Sequence, residues 1–525
     1  MTHPHLNTAM LSLFGALCAT ACGDSQPPAG GIDTPPGTTP RVTFEGPVAR
    51  AQCGVDDLVE TGLQGQVAQT DRVSGRSLEG YQCNLERVGH FDNDGEGAGW
   101  QFAWFEDCGY MGTAKAQTGI GTGVPRGVQL HPGVQVIDVS DPTAPIRATA
   151  LTTQGMLDPW ESLKVNERRA LLADVDGEGG GGSAFFDIYD LSGDCRNPQL
   201  LASVPIGESV GHAGHFAPDG LTYYGSPLQE GLIKAIDISN PSAPTVIKED
   251  FPTGTHDLSI SQDGTRAYLA DTSPNGLTIL DVSEIQNRVP DPQVSVIGEV
   301  SWQDGSTAQM TQRITIDGTP YILFVDELGQ GAARLVDISD ETAPFIASKL
   351  KLDVHMPEND DAVAADAGSL IFGYEGHYCT ASDTVNNNTT YDVENTRIIV
   401  CSYFESGLRV FDVRDPYAPR EIAYYIPPVL PGARAGSYYN LGGLCQTVDW
   451  ASSHPRYIPE REEIWFTSQC GGFHVLRFSR PIADLLTASA TAGQKAGTET
   501  RGAYGGTLTF GLLVVFGIAI GRRRR

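Results

Sequence analysis

The sequence predicts an all-β protein, and three observations support this prediction. Gly and Pro contribute 61 and 33 of the 525 residues, a share too large for a bundle of helices. Hydrophobic residues make up 40% of the chain, which is too many for a disordered chain. A short motif of hydrophobic residues around one Asp recurs, and no part of the body has a helical period of comparable strength. We therefore expect a large core built from strands.

The recurring motif divides the body into seven units. Its copies are centred on Asp138, Asp190, Asp237, Asp281, Asp337, Asp412 and, in a degenerate form, Arg477. Each unit contains four runs of alternating or β-branched residues bounded by Gly, Pro or Asp. In the fourth unit these runs are residues 256–261, 266–270, 277–282 and 294–300. Four such strands form an antiparallel meander, so the seven units predict a seven-bladed β-propeller of four-stranded blades at residues 62–482.

The end of the repeat region predicts how the propeller closes. The seventh unit stops after its third strand, because Arg480 and Pro481 lead into a linker of small residues at 483–503. We therefore expect an N-terminal strand at residues 82–88, which contains Cys83, to supply the fourth strand of the last blade. Such closure joins the first and last blades and removes an open sheet edge.

The motif also resembles a known repeat. With φ for a hydrophobic residue it reads φ-x-φ-φ-Asp-φ-Ser-Asp-Pro-x-x-Pro, and residues 134–145 show it in full. Over residues 62–481 the chain resembles the LVIVD-repeat proteins that bacteria secrete. The resemblance implies a β-propeller, and it implies no activity and no catalytic residue. Since the Asp recurs in six units, we interpret it as a structural residue that accepts hydrogen bonds from the adjacent turn.

The N-terminus is typical of an exported protein. Residues 9–21 form a short hydrophobic run, and we predict a signal peptide at residues 1–21. Cys22 follows directly and is a candidate for lipidation, although residues 19–21 also fit ordinary signal cleavage. A Pro- and Gly-rich tether and lead-in at 22–61 then precede the propeller.

The C-terminal residues 504–525 combine Gly505 and Gly506 with a hydrophobic run and four arginines. This tail resembles bacterial sorting signals of the GlyGly type, and a plain transmembrane anchor is the alternative. We expect a protein exported to the bacterial cell surface, outer membrane or periplasm. The lipid at Cys22, the tail, or both would hold it to the membrane.

Eight of the ten cysteines lie in the body, and an even number in an exported chain suggests disulfides. By alignment with the fourth unit, Cys379 and Cys401 occupy facing positions of one hairpin, so we predict that they pair. We also predict a disulfide between Cys445 and Cys470 in the last blade. The remaining four body cysteines have no predicted partners: Cys53, Cys83, Cys108 and Cys195.

One column of the aligned units contains candidate metal ligands. His212, His256 and His377 fall at the start of the first strand in blades three, four and six, where Trp160 and Met310 stand in blades two and five. First strands line the central channel of a propeller, so the three imidazoles could converge there. Three histidines suit zinc or copper. The alternative is that each His only bonds to the neighbouring blade.

Two acidic loops share the pattern D-x-D-G-E-G, and they contain Asp92 with Asp94 and Asp174 with Asp176. Oxygen ligands at alternating positions of a loop suit calcium. Neither loop continues into a full EF-hand, so a solvated acidic turn is the alternative interpretation for both.

Charge and motifs limit the function. The chain has 64 acidic and 35 basic residues and a net charge of −29, which argues against a nucleic-acid partner. No set of acid, base and nucleophile emerges. The first hypothesis is therefore a monomeric, surface-displayed and non-catalytic propeller that binds a protein or glycan through its blade loops. The second is a metal-dependent oxidoreductase with its metal in the channel.

Overall fold

In the computed structural model, the described residues are 43–97, 101–112, 131–176, 183–208, 211–226, 233–366, 373–384, 393–430, 445 and 447–489. The chain divides into two units, Met1–Arg41 and Val42–Arg525, and all described residues belong to the second. The predicted signal peptide, Cys22 and the C-terminal tail at 504–525 lie outside the described residues.

The protein is a seven-bladed β-propeller of antiparallel sheets, as the sequence predicts. Strands β1 (Tyr81–Cys83) and β2 (Leu85–Phe91) precede the first complete blade. Blade one consists of β3 (Gln101–Phe105), β4 (Cys108–Gly112), β5 (Val134–Asp138) and β6 (Ile146–Leu151). Blade two consists of β7 (Lys164–Asn166), β8 (Leu171–Val175), β9 (Ser183–Asp190) and β10 (Gln199–Glu208). Blade three consists of β11 (Ala213–Phe216), β12 (Thr222–Ser226), β13 (Lys234–Asp237) and β14 (Thr245–Lys248).

Blades four to six follow the same order of strands. Blade four consists of β15 (Leu258–Ile260), β16 (Arg266–Thr272), β17 (Asn275–Asp281) and β18 (Ser295–Ser301). Blade five consists of β19 (Ser306–Ile316), β20 (Thr319–Leu328), β21 (Ala333–Asp337) and β22 (Phe345–Lys349). Blade six consists of β23 (Tyr378–Ser382), β24 (Ile398–Tyr403), β25 (Gly407–Asp412) and β26 (Arg420–Ile426). Blade seven contains β27 (Arg456–Ile458), β28 (Glu463–Ser468) and β29 (Gly472–Phe478).

The helices among the described residues are short. They are α1 (Gln69–Ser74), α2 (Ser283–Gln286) and α3 (Asp360–Ala364), with single 3-10 turns at Arg76–Glu79, Asn93–Gly95, Asp353–His355 and Pro357–Asn359. Residues 482–489 are also helical. Within the described residues, no helix is long and apolar enough to cross a membrane.

The hydrophobic runs in the middle strands are buried on both faces because each blade packs between two others. In β21, Leu335 belongs to the core that blade five shares with blade six, where it lies with Tyr378. The next residue, Val336, faces the opposite way and joins Tyr268 in the core shared with blade four. Successive side chains of a strand point to opposite faces, so a continuous hydrophobic run serves both interfaces.

The Asp of the repeat is structural, as predicted. The carboxylate of Asp138 accepts a hydrogen bond of 2.9 Å from the backbone N–H of Ser140, two residues further on. The same bond recurs at Asp190, Asp237, Asp281, Asp337 and Asp412. Each carboxylate thereby fixes the turn that follows the third strand of its blade.

An N-terminal strand closes the propeller, although not with the predicted bounds. Strand β2 pairs with β29 and completes blade seven. Cys83 is not on this closing strand, because it belongs to β1, which pairs with β26 as a fifth strand of blade six. Asn84 separates the two strands: its backbone has a positive φ of 59°, and its side chain donates to the carbonyl of Ile422. The chain therefore crosses from blade six to blade seven at this residue.

The described residues contain four disulfides. Two of them join the predicted pairs, Cys379–Cys401 and Cys445–Cys470. The other two are Cys53–Cys83, which fastens the N-terminal segment to β1, and Cys108–Cys195, which connects blade one to blade two. Structural disulfides persist in oxidising compartments, so they indicate an exported protein.

The segment before β1 packs against the propeller. Phe44 and Ala49 form isolated bridges with Ser348 of blade five and Arg420 of blade six. Further along, the buried Arg72 of α1 forms an ion pair of 2.6 Å with a second buried residue, Glu405. The lead-in thus belongs to the folded unit from residue 43 onwards.

Candidate metal centre

The predicted histidines meet at the channel end of the first strands. His212 and His377 directly precede β11 and β23, and His256 lies two residues before β15. All three imidazoles face the carboxylate of Glu161, which blade two contributes. The backbone N–H of Glu161 donates to the carbonyl of His212 at 2.9 Å, so neighbouring strand ends hold these two residues side by side.

The distances define a compact cluster, which we call the channel centre: Glu161, His212, His256 and His377. The Nε2 atoms of His212 and His256 lie 2.9 Å apart. Oε2 of Glu161 is 3.5 Å from His212 Nε2 and 3.7 Å from His256 Nδ1. The other carboxylate oxygen, Oε1, is 3.1 Å from His377 Nε2. One ligand atom from each of Glu161, His212 and His256 lies within 4.8 Å of the other two.

Backbone carbonyls orient two of the imidazoles. Nδ1 of His256 lies 3.1 Å from the carbonyl of Gln309, and Nδ1 of His377 contacts the carbonyl of Ser452. A carbonyl oxygen only accepts, so the contact of His256 assigns its hydrogen to Nδ1 and its lone pair to Nε2. Metal-binding histidines are commonly held in this way, with the second nitrogen bonded to a carbonyl or carboxylate.

Further polar side chains fix the carboxylate. The Gln309 amide donates to Oε2 of Glu161 at 2.9 Å, and Gln101 of blade one donates to the Glu161 backbone carbonyl at 2.9 Å. Lys164 donates to the same carbonyl and lies 3.5 Å from Asp257. The Gln309 bond thus holds the carboxylate in one orientation, and the other two fix the backbone of Glu161.

The channel centre is enclosed. Its four side chains are between 0% and 5% exposed. Burial, helped by the neighbouring His256 ring, lowers the pKa of His212 to about 3, and burial also lowers the pKa of His256 against the opposing effect of Glu161. Burial alone would raise the pKa of Glu161, but the three imidazoles outweigh it and hold that pKa well below its usual range. Neutral imidazoles and an ionised carboxylate are the forms that bind metal ions.

The donor spacing fits a small metal ion. A tetrahedral zinc ion with N or O ligands at about 2.0–2.1 Å keeps those ligand atoms roughly 3.3 Å apart. The distance of 3.5 Å between Glu161 and His212 is close to this value. The distance of 2.9 Å between His212 and His256 would have to open by about 0.4 Å, a change within reach of a small rotation of either ring.

The sequence missed Glu161 and misassigned two positions. Trp160 and Met310 do not occupy the channel positions of blades two and five, because Glu161 and Gln309 stand there. The register of β19 and β20 shifts between Ala308 and Met310, so Gln309 is a bulge residue whose side chain turns into the channel. Met310 instead packs in the core beside Cys379. The signal that could have identified Glu161 is an acidic residue one position from the histidine column.

The two acidic loops differ in their surroundings. Asp92 accepts a hydrogen bond from the backbone N–H of Asp94, and Asp94 pairs with Arg147 at 2.9 Å and His131 at 2.8 Å. Side chains of the protein therefore already neutralise the first loop. Asp174 and Asp176 are buried in blade two, and the charge of Asp176 acts on Asp174 to raise its pKa.

Comparison with known proteins agrees with this architecture. A family model of the LVIVD repeat matches residues 132–153, 230–249 and 255–286, which lie in blades one, three and four. The fold and these matches define the chain as a β-propeller with LVIVD repeats. No curated protein gives a significant match.

Three solved structures are similar at low sequence identity. A protein from Lactobacillus plantarum is 10% identical with a TM-score of 0.40, over 63% of this chain and 88% of its own. Hydrazine synthase from Kuenenia stuttgartiensis is 11% identical with a TM-score of 0.43, over 73% and 96%. A functionally unknown protein from Desulfotomaculum acetoxidans is 12% identical with a TM-score of 0.39, over 61% and 92%.

Proposed function

We propose that this propeller is a metalloprotein whose channel centre binds one first-row transition-metal ion, with zinc and copper as the leading candidates. Glu161, His212 and His256 provide the ligands, and His377 holds the second oxygen of the carboxylate. The observation that supports the proposal is the convergence of the buried Nε2 atoms of His212 and His256 beside an anionic carboxylate.

The donor set indicates what such a metal could do. Two imidazoles and one carboxylate leave coordination positions for water or a substrate, as in catalytic zinc sites and in oxygen-activating iron sites. Redox chemistry in the channel is therefore the activity to test if the metal is copper or iron, whereas zinc would supply only Lewis-acid chemistry. The enclosure of the site restricts any substrate to a small molecule.

Metal analysis of the purified full-length protein tests the proposal. We expect about one equivalent of zinc, copper or iron after reconstitution and dialysis, and less than about a tenth of that in a His212→Ala, His256→Ala double variant. Because buried His→Ala changes also leave cavities, Glu161→Gln serves as a variant of nearly unchanged volume. His131→Ala, which removes a partly exposed histidine far along the sequence from the centre, is the control.

The outcomes separate the hypotheses. A wild-type protein that retains no metal after exposure to zinc, copper and iron salts would remove the metalloprotein proposal. The alternative would then be the predicted binding of a protein or glycan through the blade loops. Membrane anchoring is a separate proposal, and Cys22→Ser should release the protein from the membrane fraction if the lipid is its anchor.

A further inference from the structure

A second group of acidic side chains lies in blade two, outside the channel centre. Asp174 on β8 and Asp187 on β9 are directly opposite each other in the ladder, and both side chains are 0% exposed. Asp158 and Asp176 are also buried and act on Asp174 electrostatically. We call these four residues the blade-two carboxylates.

The hydrogen bonds leave one carboxylate unsatisfied. Oδ2 of Asp187 accepts from the backbone N–H groups of Gly155 and Met156, at 2.8 and 3.2 Å. Within the residues that the structure describes, neither oxygen of Asp174 has a hydrogen-bond partner, and this side chain is completely buried. Burying an ionised carboxylate without a partner costs several kcal/mol of folding free energy. In the native protein, either a proton or a cation must therefore neutralise Asp174.

The two carboxylates point at one place. A Cβ atom added to Gly155 would lie 2.8 Å from Oδ2 of Asp174 and 2.9 Å from Oδ2 of Asp187. The glycine therefore lets the loop before β7 approach both carboxylates, and any larger residue would displace them. The Oδ2 atoms of Asp174 and Asp187 therefore both lie against the Gly155 backbone.

The charges around Asp174 all have the same sign. Burial raises the pKa of Asp174 well above its usual range, and Asp187, Asp176 and Asp158 raise it further. No Lys or Arg opposes them in the part of the chain that the structure describes. Two like carboxylates at one point require either a shared proton or a bound cation between them.

We propose that the blade-two carboxylates bind a calcium ion, with Asp174 and Asp187 as its central ligands. All donors are oxygen atoms, which suit a hard cation rather than the zinc or copper expected at the imidazole-rich channel centre. The site stands on different residues from the channel centre, so it does not depend on the proposed function. Its role would be to stabilise the β8–β9 hairpin and the loop at Gly155.

Thermal unfolding of the full-length protein tests this site. After treatment with EGTA, addition of 1 mM CaCl2 should raise the unfolding temperature by roughly 3–5 °C, as expected for a ligand near 100 times its Kd. Asp174→Asn should abolish the shift. In EGTA the same variant should be at least as stable as the wild type, because it removes an unpaired buried charge.

Two control variants test whether the calcium-dependent rise in unfolding temperature comes from the blade-two carboxylates. Asp94→Asn, in the loop of similar sequence, and Glu161→Gln, in the channel centre, should both keep the full calcium shift. Isothermal titration with CaCl2 should give one site in these variants and none in Asp174→Asn. The proposal is overturned if the wild type does not respond to 10 mM calcium, or if Asp174→Asn responds as the wild type does. Loss of the calcium response in either control variant would also overturn the proposal.

Discussion

The Nε2 atoms of His212 and His256 lie 2.9 Å apart, with their rings edge to face at 78°. The two residues come from adjacent blades, so the packing of whole sheets maintains this distance. Two nitrogen lone pairs cannot face each other without a proton or a metal ion between them. A shared proton satisfies this requirement in the metal-free protein, and the proposed metal ion would replace that proton.

The charge of Glu161 should control how tightly the metal binds. Glu161→Gln keeps the size of the side chain but removes the only anionic ligand, so we expect zinc affinity to fall by at least about 10–100-fold. Competition with a chromogenic chelator measures this change. Glu341→Gln, a partly exposed glutamate of blade five that pairs with Arg266, should keep the wild-type affinity. Equal affinities in both variants would exclude Glu161 as a ligand.

The repeat explains why so much of the fold could be predicted. The hydrogen bond from a turn N–H to a carboxylate two residues earlier, as in Ser239 and Asp237, leaves a local sequence pattern that recurs in six of the seven blades. The alignment anchored on that pattern also placed His212, His256 and His377 in one column. Local hydrogen bonding and strand period were sufficient for these inferences.

The missed residues depend on backbone details that leave no local pattern. Gln309 faces the channel because of a bulge, which moves side chains by one position. Trp160 has a left-handed backbone with a φ of 45°, and the residue after it, Glu161, contacts the histidines. Counting residues from the repeat cannot detect either shift. The blade-crossing at Asn84 is a third case, since it placed Cys83 on β1 instead of the closing strand.

Arg409 should be among the most important residues for stability outside the core. Its guanidinium is fully buried, pairs with Glu421 at 2.8 Å and contacts Glu60, which connects the N-terminal segment to β25. Arg409→Gln would leave two buried carboxylates facing each other, and we expect a loss of about 3–5 kcal/mol in the free energy of unfolding. Urea denaturation measures this loss.

The N-terminal segment that Arg409 contacts provides a matched control residue. Arg50 pairs with Asp353 at 2.6 Å, but its side chain is 49% exposed. Exposed pairs contribute about 0–1 kcal/mol, so Arg50→Gln should have little effect. If the two variants were equally stable, burial would not be the source of the Arg409 contribution.

His355 should make the protein sensitive to acid. Burial lowers its pKa to about 4, and its neutral form is bonded on both sides: Leu352 N–H donates to Nδ1 and Nε2 donates to the carbonyl of Tyr374. The unfolded chain binds a proton near pH 6.5 and the folded chain does not, so the free energy of unfolding falls as the pH falls from about 6.5 to about 4. At pH 5 this single residue accounts for about 2 kcal/mol.

The variant His355→Gln isolates this effect. Its amide can accept from Leu352 and donate to Tyr374 without titrating, so the loss of stability between pH 7 and pH 5 should be smaller by about 2 kcal/mol. Chemical denaturation of the metal-free protein at both pH values measures the difference. Between pH 7.5 and 8.5 the two proteins should change in parallel. Identical slopes below pH 6.5 would mean that His355 is protonated in the folded state.

The disulfide Cys108–Cys195 should stabilise the fold more than Cys379–Cys401. The first connects two blades across a sequence separation of 87 residues, whereas the second joins neighbouring strands separated by 22. The entropy lost by the unfolded chain grows with the length of the loop that a disulfide closes, and the two loops differ by about 1 kcal/mol on this basis. Urea denaturation of the two double Cys→Ser variants measures the difference. Equal losses, or a larger loss for Cys379–Cys401, would contradict the loop-length argument.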